Sequence, residues 1–500
     1  MLAIRRENRT RLWLVAVIMA MTGLAACDKK SEQIATGAAP AKPNIVFLLI
    51  DDMGWPDTEV YGNRFHETPN INQLAADGMV FTDAYAASPV CSSTRASIQS
   101  GQYPAHVGIT DFIPGHWRPY EKLVVPTNKT QYLPHNVITV GEALKTQGYT
   151  TGYYGKWHLE GMDGVVWPEA QGYDEAVARP GGMSEHFKFG SKLHPPLAGL
   201  TDEDYLTDVL TDQALAFIDR HADKPFFLTL AHFAVHIPLQ AKQDMIKKYQ
   251  NKPKPATGVN NPIYAAMVEH VDESVGAVLD KLDEHDLTDN TVVVFYSDNG
   301  GLIERFDKAD GVVVSTNAPL RSEKGSLYEG GIREPFIVKW PGVIKPGSKT
   351  DALMTSPDLF PTFVDIVGGV LPENQVIDGE SLVPVLKGEQ PNKARKIYFH
   401  YPHYHHSVPA GAVRQGDYKL IEFYDDNHIE LYNLAEDIGE THDLSEAMPE
   451  KAEELRSALA QWRESVSAAM PTINENFDAS RRGEWGRHPD KPDWNPDKDR

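Results

Sequence analysis

The sequence predicts an α/β protein with a doubly wound, mostly parallel sheet flanked by helices, followed by a smaller C-terminal subdomain. Continuous apolar, β-branched runs at 44–50 and 291–296, with weaker ones at 226–231 and 336–340, are typical of strands buried on both faces. Apolar residues at three- and four-residue steps predict helices between these strands, over 137–147 and 262–282. Strands that alternate with helices indicate a parallel sheet covered on both faces.

The character of the chain changes after about residue 386. Aromatic-rich runs at 396–401, 418–424 and 429–434 are separated by turn residues and predict a small antiparallel sheet. An amphipathic pattern over 449–466 predicts one further helix, and the charged, proline-containing end is expected to be extended. We therefore expect three parts beyond the N-terminus: an α/β domain at 43–385, an α+β subdomain at 386–470 and a charged, extended tail at 471–500.

The N-terminus has the three regions of an export signal. Four arginines precede an apolar run at 12–24, which is too short for a membrane span, and the sequence LAAC ends at Cys27. LAAC resembles the bacterial lipobox, which predicts a signal peptide at 1–26, a lipidated Cys27 and a flexible tether at 27–42. Asp28 resembles an inner-membrane retention signal, so the expected location is the periplasmic side of a bacterial inner membrane. An ordinary signal with a functionless disordered tail is the alternative.

The amino-acid composition limits the classes of partner that the protein can bind. Hydrophobic residues make up 41% and charged residues 24%, as in an ordinary soluble globular protein. The formal net charge of -22 argues against nucleic acid as a partner. It does not exclude an anionic substrate, because a metal ion or a local group of lysines reverses the field at a site.

The chain has two cysteines, and lipidation of Cys27 leaves Cys91 without a disulfide partner. A buried inert thiol is one explanation. The neighbours of Cys91 are Pro89 and the polar run 92–95, which is not a core sequence. The run predicts the start of a helix, whose free N–H groups attract an anion.

Two acidic pairs follow the two strongest strand patterns. Asp51 and Asp52 come after the first, and Asp298 and Asn299 come after the second. Ligands in such folds bind at the carboxyl ends of the strands, and adjacent carboxylates repel one another unless a cation compensates them. The oxygen ligands favour calcium or magnesium. The alternative for a single Asp at a strand end is a helix N-cap.

Several segments together resemble the type I, formylglycine-dependent sulfatases of the alkaline phosphatase superfamily. CSSTR at 91–95 is similar to their C-x-P-x-R signature, with Ser93 in place of the usual proline or alanine. The further matching segments, in the expected order, are NIVFLLIDDMGW (44–55), GYYGKWHL (152–159), AVHIPL (234–239), YSDNGG (296–301) and PLRSEKGSLYEGGIREP (319–335). The resemblance covers roughly 43–444.

The resemblance implies hydrolysis of a sulfate ester. It implies that a formylglycine-generating enzyme oxidises Cys91 to formylglycine, whose hydrate attacks sulfur. Calcium would be held by Asp51, Asp52, Asp298 and Asn299, with the converted Cys91 as a further ligand. The implied roles of the remaining residues are Arg95 steadying the hydrate, Lys156 and Lys324 neutralising sulfate oxygens, His236 protonating the leaving alcohol and His158 removing the second hydroxyl proton.

The aromatic run FHYPHYHH at 399–406 has three interpretations. Its four histidines suggest a transition-metal site, although no carboxylate or cysteine spacing supports one. We favour a sugar-facing loop, in which His400 or His403 forms hydrogen bonds with sugar hydroxyls. A packed aromatic loop is the structural alternative.

Three functions remain open from the sequence. The leading one is a sulfatase acting on sulfated carbohydrate. A phosphate mono- or diester hydrolase of the same superfamily is the second, although Cys91 with Lys156 and Lys324 favours sulfate. An inactive lipoprotein that only binds sulfated glycans is the third, and an unmodified Cys91 in the mature protein would favour it.

Overall fold

The computed structural model describes residues 42–161, 164–181, 185–256, 258–304 and 313–490. The predictions for the signal peptide, Cys27, Asp28 and most of the tether lie outside these residues. The strands of the described part, in chain order, are β1 Asn44–Ile50, β2 Met79–Phe81, β3 Ala84–Tyr85, β4 Leu123–Val124, β5 Thr150–Lys156, β6 Glu175–Arg179, β7 Phe226–Ala231, β8 Thr291–Ser297, β9 Phe336–Lys339, β10 Ser348–Thr350, β11 Met354–Thr355, β12 Lys396–Tyr401, β13 Ala410–Gln415, β14 Tyr418–Phe423, β15 Ile429–Asn433 and β16 Thr472–Ile473.

The α-helices of the same part, in chain order, are α1 Pro69–Asp77, α2 Cys91–Ser100, α3 Pro104–Val107, α4 Val140–Thr146, α5 Leu206–His221, α6 Gln243–Asn251, α7 Pro262–Glu284, α8 Glu329–Ile332, α9 Leu359–Ile366, α10 Val383–Leu386 and α11 Pro449–Ser465. Within the described ranges, none of these helices combines the length and the apolar character that a membrane crossing requires.

The main sheet has the strand order β10-β2-β9-β8-β1-β7-β5-β6. The strands β8, β1, β7, β5 and β6 are mutually parallel, whereas β9 runs antiparallel to both β8 and β2. Alternate side chains of β1 enter two separate apolar clusters, with Phe47 in one and Leu48 in the other. Helices α2, α4 and α9 contribute to the first cluster, and α1, α5 and α7 to the second. The doubly wound, mostly parallel prediction is confirmed.

The two long helix predictions differ from the structure only at their ends. Helix α7 begins at Pro262 because the Asn261 side chain accepts hydrogen bonds from the N–H groups of Ile263 and Tyr264. Helix α4 begins at Val140, later than predicted, because Thr139 and Glu142 form a capping box there. Local side-chain caps therefore set both starts.

The C-terminal sheet is antiparallel with the order β12-β13-β14-β15. One face packs against α11 through Val413, Leu420 and Leu455. The other face packs against the main domain, where Phe399 and Ile421 meet Tyr85. The small subdomain with a sheet and a helix is confirmed. Strand β13 (AGAVRQ) was not predicted because its small and polar residues lack a strand pattern.

The segment after α11 returns to the main domain. Strand β16 pairs with β4, and the Asn474 side chain donates to the carbonyls of Pro119 and Glu121 at 2.8 and 2.7 Å. Further along, the Gly486 N–H donates to the Trp117 carbonyl at 2.8 Å. The described part of the predicted tail therefore runs along residues 117–124.

Candidate active site

The carboxyl ends of β1 and β8 bring the two acidic pairs together. The strands are parallel, with Ile50 opposite Ser297, so the residues that follow each strand become neighbours. The Asp52 N–H donates to Asp298 Oδ1 at 3.2 Å. Asp52 has a φ of +59°, a left-handed turn that ends the strand and lets two adjacent side chains point to one place. The chain turn that a shared site for Asp51 and Asp52 requires is therefore present.

Cys91 completes this cluster of side chains. It is the first residue of α2, where the helix presents free N–H groups. One ligand atom from each of Asp51, Asp52, Cys91 and Asp298 lies within 4.8 Å of the others, and all four residues are buried. Cys91 is a free thiol. The thiol therefore lies among the carboxylates rather than in the apolar core.

Three cations face these carboxylates. Lys156 Nζ lies 2.8 and 2.6 Å from the two oxygens of Asp51. Lys324 Nζ lies 2.7 and 2.8 Å from those of Asp52, and 3.5 Å from Cys91 Sγ. Arg95 Nε donates to Asp298 Oδ2 at 2.8 Å. Lys156 ends β5 and Lys324 lies in a loop, so separate elements supply the charges.

The two predicted histidines have different surroundings. His236 Nε2 lies 3.6 Å from Asp52 Oδ2. His158 Nε2 lies 2.8 Å from the Ile113 carbonyl, a contact in which Nε2 must carry the proton. Its Nδ1 is buried and has no hydrogen-bond partner among the described residues. Burial and the charge of Lys156 lower the pKa of the His158 ring, so Nδ1 keeps an unshared lone pair.

Burial and charge shift the pKa values of this cluster. Burial raises the pKa of the Cys91 thiol to about 12, although Lys156 and Lys324 oppose the shift. Burial also opposes ionisation of Asp52, but Lys324 and His236 hold its pKa below the ordinary value. Burial lowers the pKa of His236 to about 3 despite the neighbouring Asp52. The unmodified thiol is therefore protonated and a poor nucleophile at neutral pH.

The donor set fits a hard cation. Asn299 donates through its amide nitrogen to Asp52 Oδ1 at 2.7 Å, which leaves Asn299 Oδ1 buried without a partner among the described residues. A buried acceptor without a donor is costly, and a cation satisfies it. Together with the three aspartates it forms an all-oxygen set of the kind that calcium and magnesium prefer. Asp52, Cys91 and His236 also lie within 4.8 Å of one another, and such a set would suit a softer metal while the thiol persists.

The match to a known family decides the class. The profile of the family named Sulfatase matches residues 43–370. The chain belongs to the sulfatase family. The C-terminal domain of N-sulphoglucosamine sulphohydrolase matches residues 322–465, which include the antiparallel sheet and α11. The protein is therefore a hydrolase of sulfate esters.

Individual sulfatases resemble more than four fifths of the chain. A sulfatase of Formosa agariphila is 32% identical over 507 residues, covering 85% of this chain and 89% of that protein. The N-acetylgalactosamine-6-sulfatase of Canis lupus familiaris is 32% identical over 428 residues, covering 81% and 75%. The crystal structure of Ps i-CgsB with k-i-k-neocarrahexaose superposes with a TM-score of 0.72 at 29% identity, covering 88% and 96%.

The structure of this sulfatase brings together every predicted metal and catalytic residue, but places the predicted substrate histidines elsewhere. His400 is buried, with its ring nitrogens 2.9 Å from Tyr424 Oη and 2.9 Å from the Ala469 carbonyl. His403 is buried with Nε2 2.9 Å from Thr110 Oγ1. Both placements fit a packed aromatic loop, and contact of either histidine with a sugar stays a prediction.

Sequence reasoning missed the groups that orient the predicted residues. The Ile113 carbonyl fixes the tautomer of His158, and the Ile113 N–H donates to Ser92 Oγ at 3.0 Å. The Lys156 carbonyl accepts from Arg95 Nη1 at 2.6 Å. Backbone carbonyls carry no residue identity, so the sequence contains no signal for them. Ser92 had a signal, since it follows the cysteine directly.

Proposed function

We propose that this sulfatase removes sulfate from a carbohydrate, with formylglycine formed from Cys91 and with calcium as the resident metal. The observation that carries the proposal is the position of Cys91. Its Sγ lies 3.9 Å from Asp52 Oδ1 and 3.5 Å from Lys324 Nζ, at the first turn of α2. A thiol has no evident role there, whereas a hydroxyl in its place would face both the cation ligands and an anion-binding lysine.

Conversion of Cys91 changes the atoms that would bind the metal ion as well as the nucleophile. A hydrated formylglycine would supply two hydroxyls. Attack of one on sulfur would break the bond from sulfur to the leaving oxygen, which takes a proton from His236 and departs as an alcohol. Transfer of the proton of the other hydroxyl to His158 would then expel sulfate and restore the aldehyde. The change also removes the single sulfur atom from the cluster, leaving the oxygens of Asp51, Asp52, Asp298 and Asn299, which prefer calcium over zinc. Bound calcium would offset the buried negative charge and polarise a sulfate oxygen.

The cations of the cluster have a second use during turnover. Lys156 and Lys324 pair with Asp51 and Asp52 in the structure described here. With a cation held by those carboxylates, both ammonium groups would be available to the non-bridging oxygens of a sulfate ester. Their charge then opposes the negative charge that must be held in the transition state. Arg95, held by Asp298 and the Lys156 carbonyl, keeps its guanidinium beside residue 91.

The two histidines transfer protons in different steps: His158 is a base and His236 is an acid. His158 donates from Nε2 to Ile113, so its unprotonated Nδ1 suits a base that accepts the hydroxyl proton. His236 is the acid for the leaving oxygen. Burial lowers its pKa to about 3, and an anionic ester beside it favours the protonated ring that the step requires.

The proposed conversion of Cys91 is tested by peptide mass spectrometry, and the proposed calcium site is tested by metal exchange. The peptide that contains residue 91 should carry an aldehyde in place of the thiol. A chelator should abolish turnover, calcium should restore it, and zinc should restore far less. Active protein with an intact thiol would exclude the formylglycine mechanism, and restoration by zinc alone would exclude calcium as the resident metal.

Because Cys91 is 2% exposed, the formylglycine-generating enzyme must reach the segment before it folds.

The carbohydrate part is supported by the relatives, which include an N-acetylgalactosamine-6-sulfatase and a structure with a bound neocarrahexaose. A panel of N-acetylgalactosamine 6-sulfate, sulfated neocarrahexaose and p-nitrophenyl sulfate tests it. We expect kcat/KM for at least one carbohydrate to exceed that for the aryl ester. Turnover of the aryl ester alone would contradict a carbohydrate substrate.

We also propose that lipidation of Cys27 attaches the mature enzyme to the periplasmic face of a bacterial inner membrane. LAAC at 24–27 and Asp28 support this location. Replacement of Cys27 by alanine should release a soluble protein or leave an uncleaved precursor, as seen by fractionation. Wild-type protein that is free in the medium, or exposed to added protease on intact cells, would contradict this location.

A further inference from the structure

One buried arginine beside the candidate active site has no anionic partner. Among the described residues, the buried arginines are Arg95, Arg179, Arg333 and Arg414. All except Arg179 form ion pairs with carboxylates. Arg179 is 0% exposed, and its Nη1 donates to the Glu185 carbonyl at 2.8 Å, whereas its Nε and Nη2 are buried without a hydrogen-bond partner in the described ranges. The side chain therefore holds a buried positive charge with which no carboxylate in the described part of the chain pairs.

The unpaired guanidinium of Arg179 destabilises the fold, because burial removes the water that solvates its charge and its N–H groups. Burial accordingly lowers the pKa of Arg179 to about 10, and the charge of the exposed Glu185 opposes the shift only in part. Native proteins break such rules mainly at functional sites. Arg179 is therefore a candidate for binding an anion that the described residues do not supply.

Arg179 lies at the carboxyl end of β6, next to the strand that carries Lys156. The strands are parallel and the two residues are partners in the register, so both side chains leave the same face of the sheet. Both cations approach one ring: Lys156 Nζ lies 5.2 Å and the Arg179 guanidinium carbon 5.1 Å from the centroid of Phe233. Substrates of such folds bind at the carboxyl ends of the strands. Arg179 is therefore close to a lysine that the proposed mechanism assigns to sulfate.

The surroundings of Arg179 include both histidines of the proposed mechanism. Two residues after Arg179, a side chain at Gly181 would place its Cβ 1.7 Å from His158 Cδ2, so this segment packs directly on His158. His186 Nε2 lies 2.9 Å from the carbonyl of His236. Burial lowers the pKa of His186, and the charge of Arg179 adds to the shift, so these two side chains lie near each other. Arg179 thus lies on the side where His236 would protonate the leaving oxygen.

The free donors of Arg179 match the geometry of an anionic group with two oxygens. Nε and Nη2 lie on the same edge of the guanidinium, and their parallel N–H groups fit two oxygens of a sulfate or a carboxylate. The sulfate that is hydrolysed is expected elsewhere, at Cys91 and Lys324. In the sheet, β6 is three strands away from β1, which is about 14 Å at the usual strand spacing. Arg179 is therefore placed to contact a different substituent of the substrate.

The burial of Arg179 is the same as that of residues that the substrate must reach. Lys156 is also 0% exposed, and Cys91 is 2% exposed. A sulfate ester has to reach both residues during turnover, and a second anionic group on the same saccharide enters with it. Once bound, that group would satisfy two buried N–H groups and neutralise the charge of Arg179.

We propose that Arg179 binds a second anionic group, a sulfate or a carboxylate, on the saccharide that carries the sulfate to be hydrolysed, so that the enzyme prefers polyanionic saccharides to singly charged ones. The proposal rests on the carbohydrate function proposed above. The net charge of -22 repels a polyanionic saccharide at long range, so its binding requires local cations. Arg179 provides one that the metal ligands do not already neutralise.

The first test compares stability in the absence of ligand. Arg179→Met keeps an unbranched apolar side chain and removes the unpaired charge, so the urea concentration at half unfolding should equal or exceed that of the wild type. Arg414→Met is the matched control, because it removes a buried arginine that pairs with Asp83, and it should lower this concentration. If both variants lower it equally, Arg179 stabilises the fold and the proposal is overturned.

The second test measures binding without turnover, by isothermal titration into the Cys91→Ser protein. The ligands are three polyanions, namely N-acetylgalactosamine 4,6-disulfate, a chondroitin 6-sulfate disaccharide and sulfated neocarrahexaose, with N-acetylgalactosamine 6-sulfate as the singly charged reference. At least one polyanion should bind, and Arg179→Met should weaken its binding about tenfold or more. Arg179→Lys should lose less affinity, since it retains the charge but not the paired donors. The control Arg220→Met removes a 48% exposed arginine that pairs with Glu175, and it should leave the affinity unchanged.

The ligand whose binding depends on Arg179 identifies the second anionic group. Dependence for the disulfate or for neocarrahexaose indicates a sulfate, and dependence for the chondroitin disaccharide alone indicates a carboxylate. If no polyanion binds, or if Arg179→Met weakens binding of the singly charged reference to the same extent, Arg179 has no such role.

The third test separates this site from the centre of reaction. For the matured enzyme, Arg179→Met should lower kcat/KM for the polyanionic saccharide about tenfold more than kcat/KM for N-acetylgalactosamine 6-sulfate or p-nitrophenyl sulfate, mainly through KM. An equal loss on all substrates, or an unchanged ratio, would overturn the proposal. Turnover of the aryl ester alone, with polyanion binding still dependent on Arg179, would instead overturn the carbohydrate reaction and leave the anion site standing.

Discussion

Two regions of this sulfatase bury the same numbers of opposite charges and use them differently. We call the side chains gathered at the candidate active site, including Asn299 and His158, the catalytic cluster. In it, Asp51, Asp52 and Asp298 face Lys156, Lys324 and Arg95. At the contact between the main domain and the C-terminal sheet, a second group, the junction cluster, places Asp83, Glu329 and Glu440 against Arg333, Arg414 and Lys419. Both groups are buried, so burial of charge alone does not identify the active site.

The difference lies in hydrogen-bond satisfaction. In the junction cluster, Glu329 accepts from Lys419 at 2.8 Å, Tyr85 at 2.6 Å and Arg333 at 3.0 Å. Within the described ranges, no buried side-chain nitrogen or oxygen of the junction cluster lacks a partner, whereas the catalytic cluster leaves Asn299 Oδ1 and His158 Nδ1 without one. A buried group of charges whose hydrogen bonds are all made stabilises the fold. A buried group with atoms that lack a hydrogen-bond partner can bind a ligand through those atoms. The three predictions that follow test this distinction.

The largest expected effect is on catalysis. In the mechanism we propose, Cys91→Ala removes the precursor of the nucleophile, so kcat/KM should fall by about 10⁴-fold or more. The free energy of unfolding should change by only about 1 kcal/mol, since a small side chain is lost and no charge loses its partner. Sulfate release and urea unfolding measure the two quantities. Substantial remaining activity, or a large loss of stability, would contradict the difference proposed between the catalytic cluster and the junction cluster.

The next effect is on stability and involves Lys419. This lysine is 0% exposed and lies between Glu329 and Glu440, at 2.8 and 2.9 Å. Lys419→Met takes the ammonium group away from two buried carboxylates, of which Glu329 keeps Arg333 as a partner. This loss should cost about 3–5 kcal/mol of unfolding free energy. The activity per folded molecule should remain, because the catalytic cluster is untouched.

Two further variants control the Lys419 experiment. Lys393→Met removes a 59% exposed lysine paired with Asp351, and should cost less than about 1 kcal/mol. Adding Glu440→Gln to Lys419→Met should recover part of the lost stability, because a buried amide needs neither a cation nor a proton to be neutral. If Lys419→Met and Lys393→Met unfold at the same urea concentration, the junction cluster has no special structural role.

The sequence predicts the catalytic cluster better than the junction cluster for a physical reason. Asp51, Asp52, Asp298 and Asn299 follow apolar runs, and parallel strands bring such positions to one sheet edge. Cys91 begins a polar helix, as the run after it predicts. The strand pattern thus predicts that the four strand-end residues lie close to one another.

The junction cluster has no comparable local signal. Glu329 and Lys419 are 90 residues apart and meet only because β14 packs its inner face on the main domain. The antiparallel direction of β9 and the pairing of β16 with β4 likewise depend on contacts between distant segments. Trp485 could not be linked to His116 from sequence, since neither belongs to a periodic element.

The smallest expected effect concerns pH and Glu440. Burial raises the pKa of Glu440 above its ordinary 4.5, with the charge of Glu329 adding to the rise and Lys419 opposing it. The folded state therefore holds this proton at pH values where the unfolded state has lost it. Stability rises with pH only where the unfolded state binds more protons, so the Glu440 contribution is fully present below pH 4.5 and is lost as pH rises through the folded-state pKa.

Glu440→Gln isolates this contribution because the amide does not titrate. Relative to the variant, the wild type should lose stability as pH increases above 4.5, by about 1.4 kcal/mol for each unit by which the pKa is raised. Burial opposes ionisation of Glu329 too, but Lys419 and Arg333 outweigh it and lower the pKa of this residue. Its contribution is therefore lost only as pH falls below about 4.5, outside the range over which the two proteins are compared. Urea unfolding from pH 4.5 to 8 measures the two curves, and parallel curves would show that Glu440 is ionised in the folded protein throughout this range.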